Sequence, residues 1–306
     1  MTPPTIVDLR VMRAAGTPWR AAHELVTSTD YVRVFRSVLL HRSVADDPQA
    51  RALAVALVLP DQAAVCGETA AWLHGIDARP PGRHHAPPQL QCLVPTGTAR
   101  RRRPGLACRE GVLPADDVAM VHGVPTTSPA RTALDLARYA PAFIGLAALD
   151  AFAHAGLVTP QELHLRARGL RGARNIARAR QLLELCEPST ESPGESWLRL
   201  RLFQAGLPRP VPQVSIRDAG GREVYRLDLG YPTQRVGVEY DGEAHHVVTA
   251  AQQHTDARRR EDLWRRFGWS VVGVHRGDVL GARNHLERAV ADMLGHEGPV
   301  LARQTW

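Results

Sequence analysis

The stretch VGVEYDGEAHH, residues 236–246, begins as an apolar strand and ends by placing Glu239, Asp241, Glu243, His245 and His246 in quick succession. A strand that buries itself has little reason to carry carboxylates and imidazoles at its end unless that end faces a cleft. Residues two apart on a strand share a face, so Glu239 and Asp241 point the same way. Upstream, the strand EVYRLDLGY, residues 223–231, carries Asp228. A turn at Thr233 and Gln234 joins the two as a hairpin. In that register Leu227 opposes Tyr240, Leu229 opposes Val238 and Tyr231 opposes Val236, which makes one apolar face. The other face pairs Arg226 with Asp241, Asp228 with Glu239 and Gly230 with Gly237, and a slip of one residue would set apolar against polar side chains.

Hard divalent cations need clustered carboxylate oxygens, and several carboxylates brought together without a cation repel one another. Asp228 and Glu239 are therefore the metal-ligand candidates for Mg2+ or Mn2+. Such an ion activates water and offsets charge on a scissile phosphate, so the chemistry implied is phosphodiester hydrolysis. A structural role for the same carboxylates stays open. Around the hairpin the elements run α-β-β-β-α-β: a helix in ESWLRLRLFQAG, strands in PQVSIRD, EVYRLDLGY and RVGVEYDG, a long helix near AQQHTDARRREDLWRRFG, and a strand WSVVGVHR. Glu195 opens the first helix, where Ser192 as N-cap and Pro193 at the first helical position also fit a capping box. His245 and His246 read either as ligands or as polar loop residues, and Arg259 either as a site residue or as the i, i+3 partner of Asp256.

Taken together, SPGES, PQVSI, RLDLGYP, VGVEYDGEAHH, DARRREDL and GWSVVGVHR, over residues 189–280, resemble the actinobacterial relatives of very-short-patch-repair endonucleases within the PD-(D/E)XK nuclease superfamily. The resemblance implies a restriction-endonuclease-like core in which Asp228 and Glu239 bind the metal. Glu195 assists it directly or through water, and Asp241 stands where the superfamily has a lysine. His245 or His246 and Arg259 line the same site. This chain has no lysine, and it lacks the cysteines of the zinc site of those repair enzymes, so no zinc is expected.

The rest of the chain bounds the partners. A 44% hydrophobic and 23% charged composition is that of a folded protein. The longest apolar run, ALAVALVL, is too short to span a bilayer, and no signal-peptide core precedes it, so a cytoplasmic protein without membrane contact is expected. Cys66, Cys92, Cys108 and Cys186 form no C-x-x-C pair and read as reduced core thiols. The net charge is +7, with 22 arginines against 16 acids before residue 190 and 16 against 15 after it. A polyanion such as DNA is the partner this favours. The run Arg100, Arg101, Arg102 and Arg103 can contact phosphates, or can simply be a solvated loop.

Toward the N-terminus, YVRVFRSVLLH (31–41) reads as one strand, PQARALAVALVL and ETAAWLHGI as short helices and QLQCLV as a strand. Helices then dominate, among them TPQELHLRARG with a Thr159, Pro160, Glu162 capping box. Trp72 and His74 read as packing residues. VFRSVLLHR, VCGETAAWLHGID and GVPTTSPARTALDLAR, over residues 31–156, resemble the AbiEi-type antitoxins of abortive-infection systems, which implies a DNA-binding regulator and a cognate toxin as partner. A winged helix precedes this core in that family. Here TPWRAAHELVTSTD is a poor helix-turn-helix, which argues against sequence-specific reading.

The expectation is thus an α+β chain. Residues 1–140 form an antitoxin-like, helix-rich mixed domain, 141–188 a helical connector and 189–306 an endonuclease-like domain. The function expected is Mg2+-dependent cleavage of DNA in defence or repair. The alternatives are a non-catalytic DNA-binding regulator or antitoxin with a degenerate nuclease fold, and a protein-interaction module paired with a toxin.

Overall fold

The computed structural model describes residues 4–83, 88–98, 105–242 and 250–303, with the backbone alone for 250–254 and 256. It is a mixed α+β structure that divides into two compact units, Met1–Leu136 and Ala137–Trp306.

The first unit opens with β1 (Ile6–Asp8) running straight into α1 (Leu9–Ala14), because the Asp8 carboxylate accepts the Arg10 N–H at 2.9 Å and so caps the helix. Gly16 then takes φ +74°, its N–H donating to the Arg13 carbonyl and that of Thr17 to the Met12 carbonyl, and the chain reverses into α2 (Trp19–Thr27). The single strand expected over 31–41 is instead a hairpin, β2 (Tyr31–Phe35) and β3 (Val38–His41). Phe35 and Val38 are both buried, and on a straight strand residues three apart would face opposite ways; the two-residue turn puts them in one core. β3 also pairs with β1, giving the order β1-β3-β2. Val7, Tyr31 and Leu39 pack there with Met12 of α1 and Leu25 of α2.

Next come α3 (Pro48–Ala56), β4 (Ala64–Val65), α4 (Gly67–Leu73), β5 (Leu90–Pro95), β6 (Leu106–Gly111), β7 (Val118–Val121), β8 (Val124–Thr127) and α5 (Pro129–Tyr139). The strands form a sheet of order β6-β5-β4-β8-β7. β6, β7 and β8 lie where the sequence pattern points to helices. The β7–β8 turn has His122 and Gly123 both at positive φ, and His-Gly is not among the usual hairpin signals. Trp72 is buried beneath the Arg51 guanidinium, 4.6 Å from its ring, and a ring nitrogen of His74 lies 2.8 Å from the Thr127 carbonyl, so both are packing residues as expected.

The second unit begins with α6 (Ala142–His154), α7 (Pro160–Gly169) and α8 (Ile176–Leu183), and α7 carries the expected capping box. α9 (Pro193–Gln204), β9 (Val211–Arg217), β10 (Glu223–Tyr231), β11 (Val236–Tyr240), α10 (Ala250–Phe267) and β12 (Ser270–Val274) follow in the expected α-β-β-β-α-β order, then α11 (Arg276–Leu280) and α12 (His285–Leu294). The sheet order is β12-β11-β10-β9, with β12 parallel to β11, so the chain must cross over between them through α10. Among the described residues no helix is long and apolar enough to cross a membrane.

The β10–β11 register is the expected one: Leu229 pairs with Val238, Gly230 with Gly237 and Tyr231 with Val236. The expected apolar face is not continuous, however. Leu229, Tyr231, Val236 and Val238 pack with Trp197 and Leu198 of α9, whereas Leu227 packs with Leu263 of α10 and with Trp269. A Cβ built on Gly237 would lie 2.8 Å from Leu227 Cδ1, which puts Leu227 on the glycine face. The alternation turns over at Asp228, where the β9 ladder pairs Leu227 with Val214 and Leu229 with Pro212 while the intervening Gln213 sits at φ +49°.

Candidate functional site

The turnover at Asp228 builds the site of the second unit. Past the last ladder pair, the Asp228 Oδ2 atom accepts the Tyr240 N–H at 2.8 Å, so the carboxylate takes the place of a strand partner. Its pKa is pushed up to about 6, first by burial and then by the charges of Glu195 and Glu239, against the opposing Tyr240 N–H and Arg259. Glu239, the next residue toward the strand's start, binds Arg259 of α10 in a bidentate pair, at 2.5 and 2.7 Å. The Arg259 guanidinium also donates to the Arg226 carbonyl at 3.2 Å and lies 5.6 Å from the Tyr225 ring centroid.

Glu195 reaches the cluster from α9. Ser192 caps that helix through the Glu195 N–H at 3.3 Å, but the reciprocal half of a capping box is replaced. The Glu195 Oε2 atom instead accepts the Glu191 N–H at 3.2 Å and the Gln213 amide at 2.8 Å. Gly194 makes the approach feasible, since a Cβ there would lie 2.0 Å from the Tyr240 ring. α9 is anchored from behind by buried Asp150, which accepts the Ser196 hydroxyl at 2.6 Å and pairs with Arg199. Burial raises the Asp150 pKa, opposed chiefly by Arg199.

The remaining candidates divide. Asp241 does not meet Arg226: its partner is Arg260 at 3.8 Å, and Arg226 pairs with Glu191 at 2.9 Å. The turnover at Asp228 displaces the flat pairing on which the expected Arg226–Asp241 contact depended. Arg259 belongs to the cluster through Glu239. His245 and His246 lie outside the described residues, as does Glu243. Among the described residues no three His, Cys, Asp or Glu side chains stand as a ready metal cage. Both Glu239 oxygens face Arg259, and one Glu195 oxygen faces Gln213. Gln213 is the site residue that sequence pattern misses, because a polar residue in an alternating strand reads as solvent-facing. Its left-handed φ is the structural signal.

The first unit offers a different surface. α1, the Gly16 turn and α2 form a short helical pair that packs on the β1-β3-β2 sheet. Of residues 17–30 only 19–27 are helical, as α2, and the helix that precedes it, α1, lies outside that stretch. The start of α2 is open: Trp19 is 74% exposed and stacks on His23 at 4.7 Å, with Arg20 exposed beside it. Arg100, Arg101, Arg102 and Arg103 lie outside the described residues. The GVPTTSPARTALDLAR segment turns out to be a latch, in which buried Arg131 bridges Asp117 and Asp135 and donates to the Val112 carbonyl.

The chain has an α+β fold, and its residues 63–185 match the AbiEi antitoxin C-terminal domain. Two Mycobacterium tuberculosis proteins, "uncharacterized protein Rv2248" of strain H37Rv and "uncharacterized protein MT2308" of strain CDC 1551, are 31% identical to it over 266 residues, covering 84% of this chain and 93% of each relative. The chain belongs to the family of these proteins. The antitoxin match begins at residue 63 rather than 31, which leaves the Tyr31–His41 hairpin to the N-terminal module, and it extends through α8.

Proposed function

We propose that the protein is a DNA-binding regulator of the antitoxin type that acts with a cognate toxin. What supports this reading is the helical pair α1 and α2, read as a helix–turn–helix, on the N-terminal side of the segment that matches the AbiEi antitoxin C-terminal domain. In such modules the N-terminal residues of the second helix reach base edges in the major groove, and here those residues are Trp19, Arg20 and His23. The net charge of +7 supports a phosphate-bearing partner. The test is fluorescence anisotropy with a duplex from upstream of the protein's own coding sequence and with a scrambled duplex, at several salt concentrations. Specific binding that Arg20→Ser weakens, with a salt slope lower by about one, supports the reading. No duplex binding at low salt overturns it.

A second reading, metal-dependent phosphodiester hydrolysis in the second unit, is favoured by one observation: Glu195, Asp228 and Glu239 come together from α9, β10 and β11 within an α-β-β-β-α-β order. Asp228 and Glu239 would hold Mg2+ or Mn2+, with Glu195 assisting, and the ion would supply an activated water. Asp241 stands beside the cluster with Arg260. Cleavage of plasmid DNA that EDTA abolishes and Glu239→Ala removes separates this reading from the first.

A further inference from the structure

Two adjoining hollows of about 700 Å3 each lie within the first unit and share a wall of Arg33, Phe35, Arg36 and Leu90. Together they make one groove beside the turn of the β2–β3 hairpin. α2 contributes nothing to its lining, so the groove is distinct from the exposed helix of the helix–turn–helix. Its floor is apolar, with Phe35 and Leu90 buried and Leu9 and Leu106 half-buried. Its rim is cationic, and not all of that charge is compensated. Arg10 is paired with Asp8 at 2.6 Å and Arg79 with Asp77 at 2.7 Å. Among the described residues Arg13, Arg33, Arg36 and Arg83 have no carboxylate within ion-pair distance. Among the described residues the lining contains one acid, Glu68, whose carboxyl burial pushes up and nearby Arg83 pulls down.

The hairpin turn holds these arginines in place. Phe35 and Val38 on either side of it are packed against α3 and β5, so the turn does not project into solvent as a free wing, and Arg33 and Arg36 are carried on anchored backbone. Guanidinium groups recognise phosphate oxygens by paired hydrogen bonds, and an apolar floor accommodates a planar ring. Each hollow has a volume of about 700 Å3. It is of the size that takes a small ligand.

We propose that this groove binds a nucleotide unit, its phosphates on Arg33, Arg36 and Arg13 and its base over Phe35 and Leu90. The unit comes either from a free nucleoside phosphate or from an unpaired nucleotide of a single strand. The proposal stands independently of duplex recognition by α2.

The test uses the full-length protein and three probes: fluorophore-labelled ATP, a labelled oligothymidylate of twelve nucleotides, and inorganic tripolyphosphate as competitor. Wild type should bind labelled ATP or the oligonucleotide in the micromolar range, and which of the two binds identifies the source. Arg33→Ser and Arg36→Ser should each weaken binding about tenfold, while Arg222→Ser, at an exposed arginine of the second unit, leaves it unchanged. The two groove arginines are exposed, and an unchanged circular dichroism melt shows that the variants fold. Tripolyphosphate competing as well as ATP would overturn the base-binding half and leave a bare anion site. No binding of either nucleotide probe at millimolar concentration would overturn the proposal. So would variants that lose duplex binding alone, since the arginines would then belong to a DNA surface.

Discussion

Replacing Asp228 by Asn should stabilise the protein at neutral pH and do nothing at acid pH. The carboxyl is half-buried beside Glu195 and Glu239, and its pKa rises from an ordinary 3.8 to about 6. A folded-state pKa above the unfolded value means that the native state holds the proton more tightly. Below the unfolded value both states are protonated and no penalty exists. As pH climbs through the window from 3.8 to about 6 the native state loses ground, and above it the loss is complete. Two units at about 1.36 kcal/mol each set a ceiling near 3 kcal/mol, and partial solvent screening reduces this to about 1.5 kcal/mol. Asn keeps an oxygen for the Tyr240 N–H, so that contact is conserved in the comparison. Urea unfolding of wild type and Asp228→Asn in EDTA should show curves that coincide near pH 3, below the unfolded pKa of 3.8, and separate by about 1.5 kcal/mol at pH 8, or roughly 3–6 °C in melting temperature. A gap of equal size at both pH values, or one favouring wild type at pH 8, would refute the electrostatic account. Adding Mn2+ at pH 8 then tests the hydrolytic reading, which requires the ion to stabilise wild type and leave the variant unmoved.

Arg259→Gln removes a cation that opposes the rise of the Asp228 pKa, so the pH at which the Asp228 penalty becomes complete should move above 6; the same urea series, with Arg259→Gln as the background, measures it. Gln213→Val should cost at least about 2 kcal/mol, because a β-branched side chain at φ +49° adds strain to the lost Glu195 contact, whereas Gln213→Gly should cost clearly less. Arg131→Met strands two buried carboxylates, Asp117 and Asp135, and should lower stability by about 3–5 kcal/mol in chemical denaturation. Phe152→Ala, emptying a fully buried site in α6, should cost about 3–5 kcal/mol, read as a shift of the urea midpoint at constant slope.

Much of the second unit was legible in the chain itself. Hydrophobic alternation sets which residues of β10 and β11 can face a core and forbids a one-residue slip, but a slip of two keeps the faces, so the pairing of Leu229 with Val238 rested also on placing the turn at Thr233 and Gln234. The order of elements from α9 to β12 and the caps at Thr159 and Ser192 are local in origin, and local patterns disclose them. What alternation cannot disclose is where it breaks. The left-handed Gln213 holds Glu195 of α9, 18 residues earlier, and opposite it the alternation turns over at Asp228, with Leu227 packed on α10 and Arg226 and Asp241 given separate partners. In the first unit β1, β6, β7 and β8 are short, and a strand of three to six residues carries too few positions to reveal a period. The pair α1–α2 was hidden for a related reason: helices of six and nine residues show too few turns for a period to stand out, and only the packing of Met12 and Leu25 onto a sheet closed by Tyr31 and Leu39 makes them a module.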